Sequence, residues 1–409
     1  MSLSRALILS LVFVTIHGIG QDSLAATYYV DGAAGDDSNE GTLLKPFETI
    51  NRGAQVLRPG DTLYIRAGTY SESLRNGIPS GSSWSAPVTV AAYSGETVIL
   101  KPPVGTDRVL HFDGSTTQFI SIEGLILDGV NVRYDAVKIT YADNKENHAH
   151  HIRIKNCEIR NSASNQGILS TGGGNAGNNQ FIGLDVHDNG DSELDHGLYI
   201  SSSNNIVENC RIHNNFGYGI HLYGNRGDVN NNIVRRNRIY NNGAKTDKAG
   251  IIVSGGAGNT VHHNVVYGHK YGIRTDYNVT NTKIYNNTVY GRDSMTGGIY
   301  VGSTSTGAIV RNNLVYRTYA GNGIEDHGTG TILSNNLEGV DPKWVDPSNG
   351  DFHLRPNSPA IDRGTDCGFS KDIDDNPVPV GKGPDIGACE FQSPLSGILP
   401  PPSRVRVIH

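Results

Sequence analysis

The sequence has few charged residues, few cysteines and few long apolar runs. Only 18% of its 409 residues are charged, and the formal net charge is −6. Because nucleic-acid-binding proteins usually carry a basic surplus, we expect no nucleic-acid partner. After the N-terminus no segment is long and apolar enough for a transmembrane helix, so we expect none in the mature chain. Glycine, in contrast, is abundant at 51 residues.

The one long apolar run lies at the N-terminus. Arg5 precedes an apolar stretch over residues 6–19, and small residues follow at 23–26. This pattern is typical of a secretory signal peptide, so we predict a leader over residues 1–26. A membrane anchor is the alternative, although the run is short for a span. The leader predicts a protein that is secreted, periplasmic or at the cell surface.

One pattern recurs from about residue 120 to residue 340. Its first half is a short apolar alternation that ends in a turn residue, as in Cys157–Asn161 and Asn237–Asn241. Its second half is a glycine followed by another alternation, as in Gly219–Leu222 and Gly298–Val301. Alternation with period two, bounded by glycine and asparagine, indicates short strands. No unit contains a convincing helix.

A unit built only of short strands cannot bury its apolar face alone, so successive units must stack. The repeat therefore predicts an all-β solenoid, a parallel β-helix over residues 61–339, with coils about 4.8 Å apart. Stacking converts equivalent positions into columns. Inward asparagine amides in such a column can hydrogen-bond from coil to coil. The column that opens each unit is Cys157, Leu184, Cys210, Asn237, Asn264, Asn287, Asn313 and Asn336.

The two ends of a solenoid need caps because their strand edges are unpaired. Residues 27–60 predict a first strand and an amphipathic helix over Pro46–Leu57 as the N-terminal cap. Strands are expected at Thr62–Ala67, Val88–Ala92 and Thr97–Leu100. Residues 340–391 lack the coil period and predict an irregular C-terminal cap on the last coil. Residues 392–409, with three consecutive prolines, predict a loose tail.

The four cysteines divide into two kinds. The column places Cys157 and Cys210 two coils apart, which at about 9–10 Å is too far for a disulfide. We therefore expect both to be buried thiols. Cys367 and Cys389 lie outside the repeats, and we predict that they form a disulfide, as is common in exported proteins.

Several segments carry a resemblance to a known family. Residues Tyr28–Gly32, Pro59–Thr62 and Ile65–Tyr70 resemble the N-terminal signature of secreted pectate-lyase-like proteins, which fold as right-handed parallel β-helices. The later coils are similar to the generic repeat of that superfamily. Residues 341–390 are similar to a C-terminal module of bacterial surface and secreted proteins. The resemblance implies a polysaccharide ligand, but the superfamily includes lyases, hydrolases, epimerases and proteins without known activity.

Outward-facing residues of the second strand predict a lateral site. The residue before each glycine is also expected to face outward. Two neighbouring coils therefore bring four residues within a few Å of one another: His196, Tyr199, Tyr218 and His221. Arg274 is expected two coils further along. The residues two places after each glycine form the row Lys138, Leu169, Tyr199, His221, Ile252, Arg274, Tyr300 and Glu325.

These residue types suit the chemistry of uronic acids. Elimination or epimerisation begins when a base removes the proton α to a carboxylate, whose charge must be neutralised. We assign the base to His221 or Lys138, carboxylate binding to Arg274, the acid to Tyr199 and proton exchange to His196. The alternative is a row of solvated side chains. The residues expected to contact substrate are Tyr218, Tyr300 and Asp276.

Calcium is the cofactor that the resemblance implies, because lyases of the superfamily often use it. Oxygen ligands could come from Asp191, Glu193 and Asp195, which lie in an irregular turn near the predicted site. The chain lacks both the close aspartate pair of pectin-type hydrolases and the Asp-Pro-His signature of alginate epimerases.

A second outward row is aromatic. Such a row could bind the apolar faces of sugar rings or could stack to stabilise the sheet, and we favour stacking. The residues of this row are His187, His213, Tyr240, Tyr267, Tyr290 and Tyr316.

The leading hypothesis is a monomeric lyase, or a related enzyme, that acts on a uronic-acid-containing polysaccharide. A non-catalytic carbohydrate-binding or adhesion protein of the cell surface is the second. A glycoside hydrolase is the third, and it would require two carboxylates about 5–10 Å apart. For that reaction the nearest candidate pair of carboxylates is Glu325 with Asp326 or Glu325 with Asp276.

Overall fold

The computed structural model describes residues 25–114, 116–141, 148–172, 176–224, 229–243, 248–291, 297–317 and 323–392. Nearly all of the predicted signal peptide and of the predicted tail lie outside these ranges. Within them, the α-helix Ile50–Gln55 is far too short to cross a membrane, and no other helix has the length and apolarity to do so.

Three long parallel sheets of twelve, eleven and ten strands run along the described chain, and most coils contribute one strand to each sheet. The first sheet contains Thr27–Val30, Thr62–Ile65, Val88–Ala92, Gln118–Glu123, His150–Lys155, Gln180–Ile182, Ile206–Glu208, Ile233–Arg235, Thr260–His262, Lys283–Tyr285, Ile309–Arg311 and Ile332–Ser334. The second contains Gly68–Tyr70, Val98–Leu100, Ile126–Asp128, Glu158–Arg160, Asp185–His187, Arg211–His213, Arg238–Tyr240, Val265–Tyr267, Thr288–Tyr290, Leu314–Tyr316 and Leu337–Glu338. The third contains Leu74–Arg75, Leu110–Phe112, Val137–Ile139, Ile168–Thr171, Leu198–Ser201, Ile220–Tyr223, Ala249–Ser254, Tyr271–Asp276, Gly297–Val301 and Ile324–Asp326.

The register between coils confirms the predicted columns. In the first sheet Ile154 pairs with Phe181, which pairs in turn with Val207. All three side chains are buried in one continuous apolar core that fills the solenoid. Because side chains alternate between the two faces of a strand, the neighbours of these core residues point outward. The fold is therefore a parallel β-helix whose outer faces carry columns of polar and aromatic residues.

The asparagine column forms a hydrogen-bonded ladder, as predicted. Oδ1 of Asn264 accepts the backbone N–H of Asn237 at 3.0 Å, while Nδ2 of Asn264 donates to Asn287 at 3.0 Å and to the carbonyl of Val234 at 2.9 Å. Two further ladders occur at the other turns, which the sequence analysis did not predict. One is Asn179, Asn205, Asn232 and Asn259, and the other is Asn189, Asn215, Asn242 and His269.

The N-terminal cap is shorter than predicted. The helix begins after Thr49, whose hydroxyl accepts the backbone N–H of Arg52 at 3.2 Å, and it ends at Gln55. The carboxylate of Glu72 accepts the N–H groups of Ile50 and Asn51, so the first turn is fixed by the following coil. Residues 46–49, which were predicted to be helical, lie in the loop before the helix.

The strands near the N-terminus agree with prediction to within two residues. Val88–Ala92 has the predicted bounds, and the strand predicted at Thr97–Leu100 begins at Val98. The strand predicted over Thr62–Ala67 ends at Ile65, because the N–H of Ala67 donates to Glu96 and the chain turns into the second sheet.

The C-terminal segment packs along the side of the solenoid. Its antiparallel strands Trp344–Asp346 and Asp351–Leu354, joined by a 3-10 turn at Pro347–Asn349, lie against the outer face of the second sheet. The last coil is left partly open, since Ile332 and Leu333 are 51% and 46% exposed. The segment contacts the last coil at Leu337 but leaves Ile332 and Leu333 uncovered, so it caps this coil only in part. Its apolar residues pack on Tyr267, Tyr290 and Tyr316 of the aromatic row.

The predicted disulfide is also wrong. Cys367 and Cys389 are both free thiols. Cys367 lies at the edge of the segment, with its sulfur 3.5 Å from the side-chain amide of Asn312. Cys389 is buried beside His353, in a different environment. Cys157 and Cys210 are buried thiols, as predicted.

We predict that Asn264→Ala lowers the free energy of unfolding by about 2–3 kcal/mol, because it leaves buried partners of the ladder without hydrogen bonds. Urea denaturation of the purified variant measures this loss. Asn349→Ala, at an exposed position outside the solenoid, is the matched control and should change stability by less than about 0.5 kcal/mol. Equal effects of the two substitutions would contradict a stabilising ladder.

Candidate functional site

The outer face of the third sheet carries the predicted row. Backbone pairing aligns its eight positions coil by coil, and two more residues, Arg75 and His111, extend it towards the N-terminus. The sequence analysis missed these two because their strands lack the opening glycine of the repeat. In order, the aligned residues are Lys138, Leu169, Tyr199, His221, Ile252, Arg274, Tyr300 and Glu325.

Four predicted residues meet in the middle of the row, and we call His196, Tyr199, Tyr218 and His221 the histidine cluster. The ring of His196 lies 4.9 Å from that of His221, 5.8 Å from that of Tyr199 and 5.0 Å from that of Tyr218. Tyr223, which the sequence analysis did not single out, lies 5.0 Å from His221. Stacking thus brings together the residues that the repeat predicted.

The two histidines form a directional chain of hydrogen bonds. The backbone N–H of Tyr218 donates to Nδ1 of His196 at 3.1 Å, which places the proton of neutral His196 on Nε2. Nε2 then donates to Nδ1 of His221 at 3.0 Å. Nε2 of His221 in turn donates to the hydroxyl of Ser254 at 3.3 Å. All ring nitrogens in this chain are therefore occupied.

Burial keeps both imidazoles neutral. His196 is 2% exposed and His221 is 9% exposed. Burial lowers the pKa of His196 to about 3 and holds the pKa of His221 well below its ordinary value, with a further contribution from the neighbouring His196. Because both nitrogens of His221 are engaged, this residue offers no free lone pair to a substrate. The geometry therefore favours Lys138 over His221 as the base.

The phenol of Tyr199 keeps its proton, since burial raises its pKa above the ordinary value. Burial also raises the pKa of Tyr218. The ammonium group of Lys248 lies 5.3 Å from the ring centre of Tyr218 and forms an ion pair with Glu193 at 3.2 Å. This pair therefore lies next to Tyr218 at the edge of the histidine cluster.

Arg274 lies two coils beyond His221, as predicted. Its guanidinium pairs with Asp276 at 2.5 Å and lies between the rings of Tyr271 and Tyr300, 5.4 and 5.1 Å from their centres. Although burial opposes the charge, the hydrogen bond to Asp276 raises the pKa of Arg274. A carboxylate ligand would have to compete with Asp276 for this arginine.

A second cluster surrounds Lys138. Arg108 reaches Asp135 at 3.3 Å, and Arg75 reaches Asp113 at 2.8 Å. The side chain of Arg75 is 62% exposed, so it remains open to a ligand. We call the following group the basic cluster: Arg75, Arg108, His111 and Lys138, with the carboxylates of Asp113 and Asp135.

The electrostatics of the basic cluster make Lys138 a weaker cation than usual. Burial lowers the pKa of Lys138, Arg108 lowers it further, and Asp135 opposes both effects. Burial likewise lowers the pKa of His111 to about 4. Burial raises the pKa of Asp135, while Arg108 and Lys138 oppose this effect. The cluster therefore combines an amine that loses its proton more readily with two permanent guanidinium charges.

The predicted calcium ligands do not converge. Asp195 is buried and its Oδ2 accepts the backbone N–H groups of Asp191 and Ser192 at 3.1 and 2.9 Å. Glu193 points to Lys248 instead. Within the described ranges, these three carboxylates form no group of converging oxygens. This arrangement does not fit a calcium ion, and no step of the chemistry is assigned to one.

The aromatic row of the second sheet is a stack. The rings of His187 and His213 are parallel within 6° at 4.9 Å, and those of His213 and Tyr240 are parallel within 2° at 4.7 Å. Tyr240 stacks on Tyr267 at 5.0 Å. Ring faces that cover one another cannot bind sugars, so this part of the row stabilises the sheet, as favoured from the sequence.

A stacked solenoid of this kind, with inward asparagine ladders and a polar lateral row, defines the class of right-handed parallel β-helix proteins. Residues 28–195 match the family model described as Pel9A-like, right handed beta helix region, and residues 192–338 match the model described as right handed beta helix region. The chain belongs to the pectate-lyase-like right-handed β-helix family. Neither match reaches residues 341–390, so their predicted kinship with a surface-protein module has no support here.

Two curated relatives are similar in sequence. Uncharacterized protein YwoF of Bacillus subtilis is 27% identical over 335 residues, which cover 69% of this chain and 67% of that protein. Pectate lyase PEL9 of Emericella nidulans is 29% identical over 217 residues, which cover 49% of this chain. The match spans only half the length of that lyase.

Solved structures show the same fold. Pectate lyase Pel9A superposes with a TM-score of 0.66 at 17% identity, covering 90% of this chain and 97% of that one. A glycoside hydrolase superposes with a TM-score of 0.55 at 10% identity, covering 79% of this chain and all of the other. At such identities the likeness concerns architecture alone.

We predict that acid destabilises the protein through His196. Its folded pKa of about 3 lies below the 6.5 of an exposed imidazole, so the unfolded chain binds a proton that the folded chain rejects. Stability from this neutral residue is present above pH 6.5 and is lost as the pH falls towards 3, by up to ~1.4 kcal/mol per pH unit.

His196→Gln should therefore flatten the dependence of unfolding free energy on pH, measured by urea denaturation between pH 7 and about 4.5, where most of the difference accumulates. His327→Gln replaces an exposed histidine and serves as the control. An unchanged slope in His196→Gln would show that His196 is not buried in its neutral form.

Proposed function

We propose that the protein is a polysaccharide lyase that cleaves a uronic-acid-containing polymer outside the cytoplasm, and that Lys138 is its base. The observation that carries the proposal is the basic cluster. It places the half-buried amine of Lys138, whose pKa is lowered, within the influence of Arg108, and the exposed Arg75 lies two coils away on the same outer row. Uronan elimination requires both a base and cations for the substrate carboxylate.

The reaction is a β-elimination. The neutral amine of Lys138 removes the proton at C5 of a uronate residue, which is α to the carboxylate. The two arginines stabilise the negative charge that spreads onto the carboxylate oxygens. The electron pair then forms the C4–C5 double bond, the C4–O bond breaks, and the leaving oxygen takes a proton from water. The product is an unsaturated uronate at the new chain end.

The relatives support the substrate class. Two of the proteins that this chain resembles are named pectate lyases, and pectate is a polymer of uronic acid. The predicted signal peptide supports a location outside the cytoplasm, where such polymers occur.

Carbohydrate binding without catalysis is the second candidate. It is favoured by the pairing of each arginine of the basic cluster with an aspartate. A paired arginine can still bind a ligand, but its charge is partly compensated, so it stabilises the anion formed in elimination less well. This reading predicts tight binding of a uronan and no change in its chain length.

Incubation with polygalacturonate, alginate or a glycosaminoglycan, with and without calcium, separates the candidates. The lyase proposal predicts rising ultraviolet absorbance from the unsaturated product. Lys138→Met should reduce this rate by at least about 100-fold, because it removes the general base. Arg75→Gln should lower kcat as well as kcat/KM, because it removes a charge that stabilises the developing carboxylate anion.

Lys283→Met, which removes an exposed lysine of the first sheet, is the matched control and should retain full activity. His221→Gln should keep a folded protein at neutral pH and most of the activity. New reducing ends without ultraviolet absorbance would indicate hydrolysis and would overturn the lyase proposal. Full activity in Lys138→Met would overturn the assignment of the base.

A further inference from the structure

A cavity of about 500 Å³ lies between the last coils of the solenoid and the C-terminal strands. This size falls within the range of pockets that bind small molecules. Tyr290 and Tyr316 of the second sheet form one side, and Trp344 of the C-terminal segment lies opposite. The cavity is therefore on a different face from the row that carries the basic cluster.

The aromatic wall of the cavity is a set of crossed rings. Trp344 is only 6% exposed, and its ring is nearly perpendicular to Tyr290 at 5.5 Å and steeply inclined to Tyr316 at 6.0 Å. Unlike His213 and Tyr240, these rings do not cover one another face to face. Because Trp344 is nearly covered, the aromatic surface that is open to the cavity comes mainly from the half-buried Tyr290 and Tyr316, on which the C–H groups of a sugar can pack.

The charged residues that line the cavity are mostly cations. Lys343 pairs with Asp341 at 2.8 Å, which accounts for the single carboxylate of the lining. Arg317 and Arg355 are both exposed, and neither lies within ion-pair distance of a carboxylate among the described residues. The cavity thus presents two guanidinium groups that have no carboxylate partner in the described ranges, and guanidinium groups form strong hydrogen bonds with carboxylates.

Both arginines are held in place by other contacts. Nη1 of Arg317 donates to the phenol oxygen of Tyr290 at 3.2 Å. Arg355 donates to the carbonyl oxygens of Trp344 and Val345 at 2.8 and 2.6 Å. Because their geometry is fixed before a ligand arrives, binding requires little ordering of these side chains.

The indole N–H of Trp344 is buried and has no hydrogen-bond partner among the residues that the structure describes. A buried donor without a partner is costly, and such groups are rare in folded proteins. Trp344 lines the cavity, so its indole is a side chain of the lining whose polar atom has no partner in the described ranges. This observation is independent of the charges and of the size of the cavity.

We propose that this cavity is a second carbohydrate site, which binds an acidic saccharide through Trp344, Arg317 and Arg355. The proposal depends on the ligand class proposed above, an acidic polysaccharide, but not on catalysis by the basic cluster. Such a site would hold the polymer against the C-terminal segment while another stretch lies on the third sheet.

The chain has two tryptophans, Trp84 and Trp344, so Trp84→Phe leaves Trp344 as the sole indole. Titration of this variant with trigalacturonate should give a saturable change in fluorescence. Neutral maltotriose should give none. The variant Trp344→Phe, which retains Trp84, should not respond to either sugar.

Arg317→Gln in the Trp84→Phe background should weaken the binding of trigalacturonate at least about tenfold, as expected for the loss of one charged contact. Arg363→Gln, at an exposed position that does not line the cavity, is the matched control and should bind normally. Calorimetric titration of the unsubstituted protein and of Arg317→Gln repeats the comparison without the change at Trp84.

Absence of a saturable response in both assays, or equal affinity in Arg317→Gln and the control, would overturn the second site. The lyase proposal is tested separately by product formation in Lys138→Met. A fluorescence response without product formation would support the cavity while rejecting the lyase, and product formation without a response would do the reverse.

Discussion

The structure depends on hydrogen bonds that run from coil to coil. Backbone bonds join each strand to the next, and the amide of Asn264 shows how the turns are tied, since it bonds to the coils on both sides. A buried turn would otherwise leave unpaired N–H and carbonyl groups, which cost more than the net gain of a hydrogen bond. The ladders therefore fix the register, and the register sets which side chains become neighbours on the outer faces. The rows on the second and third sheets both follow from this constraint.

Burial divides the outer row of the third sheet into parts with different properties. In the histidine cluster, neutral rings occupy every hydrogen-bonding position, so His196 and His221 act as a buried polar network that positions Tyr218 and Ser254. In the basic cluster, Arg75 remains largely exposed although it pairs with Asp113. The same column of the solenoid thus supplies a buried polar network at one level and exposed charge at another. The difference arises from what covers each level, not from the strand positions themselves.

The turns show where the solenoid makes contacts beyond its own coils. One residue at each turn adopts a left-handed conformation, which favours glycine and asparagine. Six turn positions of the solenoid carry large side chains instead: Phe119, His151, Arg236, His263, Tyr277 and Arg317. Tyr277 is 63% exposed, whereas the other five contact another part of the protein or line the cavity. Phe119 and His151 pack on Trp84, Arg236 and His263 meet the C-terminal segment, and Arg317 lines the cavity. Five of the six departures from the turn pattern therefore lie where the solenoid meets another group.

The sequence by itself determined the solenoid, because alternation with period two and a regular spacing of asparagines leave stacking as the way to bury the apolar residues. It also determined the alignment of Lys138, His221 and Arg274 in one row and the stacking of the aromatic row. Only the tertiary structure decided that His221 is covered, that Asp195 caps a turn instead of joining a metal site, and that Cys389 lies apart from Cys367. These outcomes depend on irregular loops and on the C-terminal segment, whose packing has no period. A repeat specifies neighbours one coil away, whereas burial and charge pairing depend on contacts between segments that are distant in the chain.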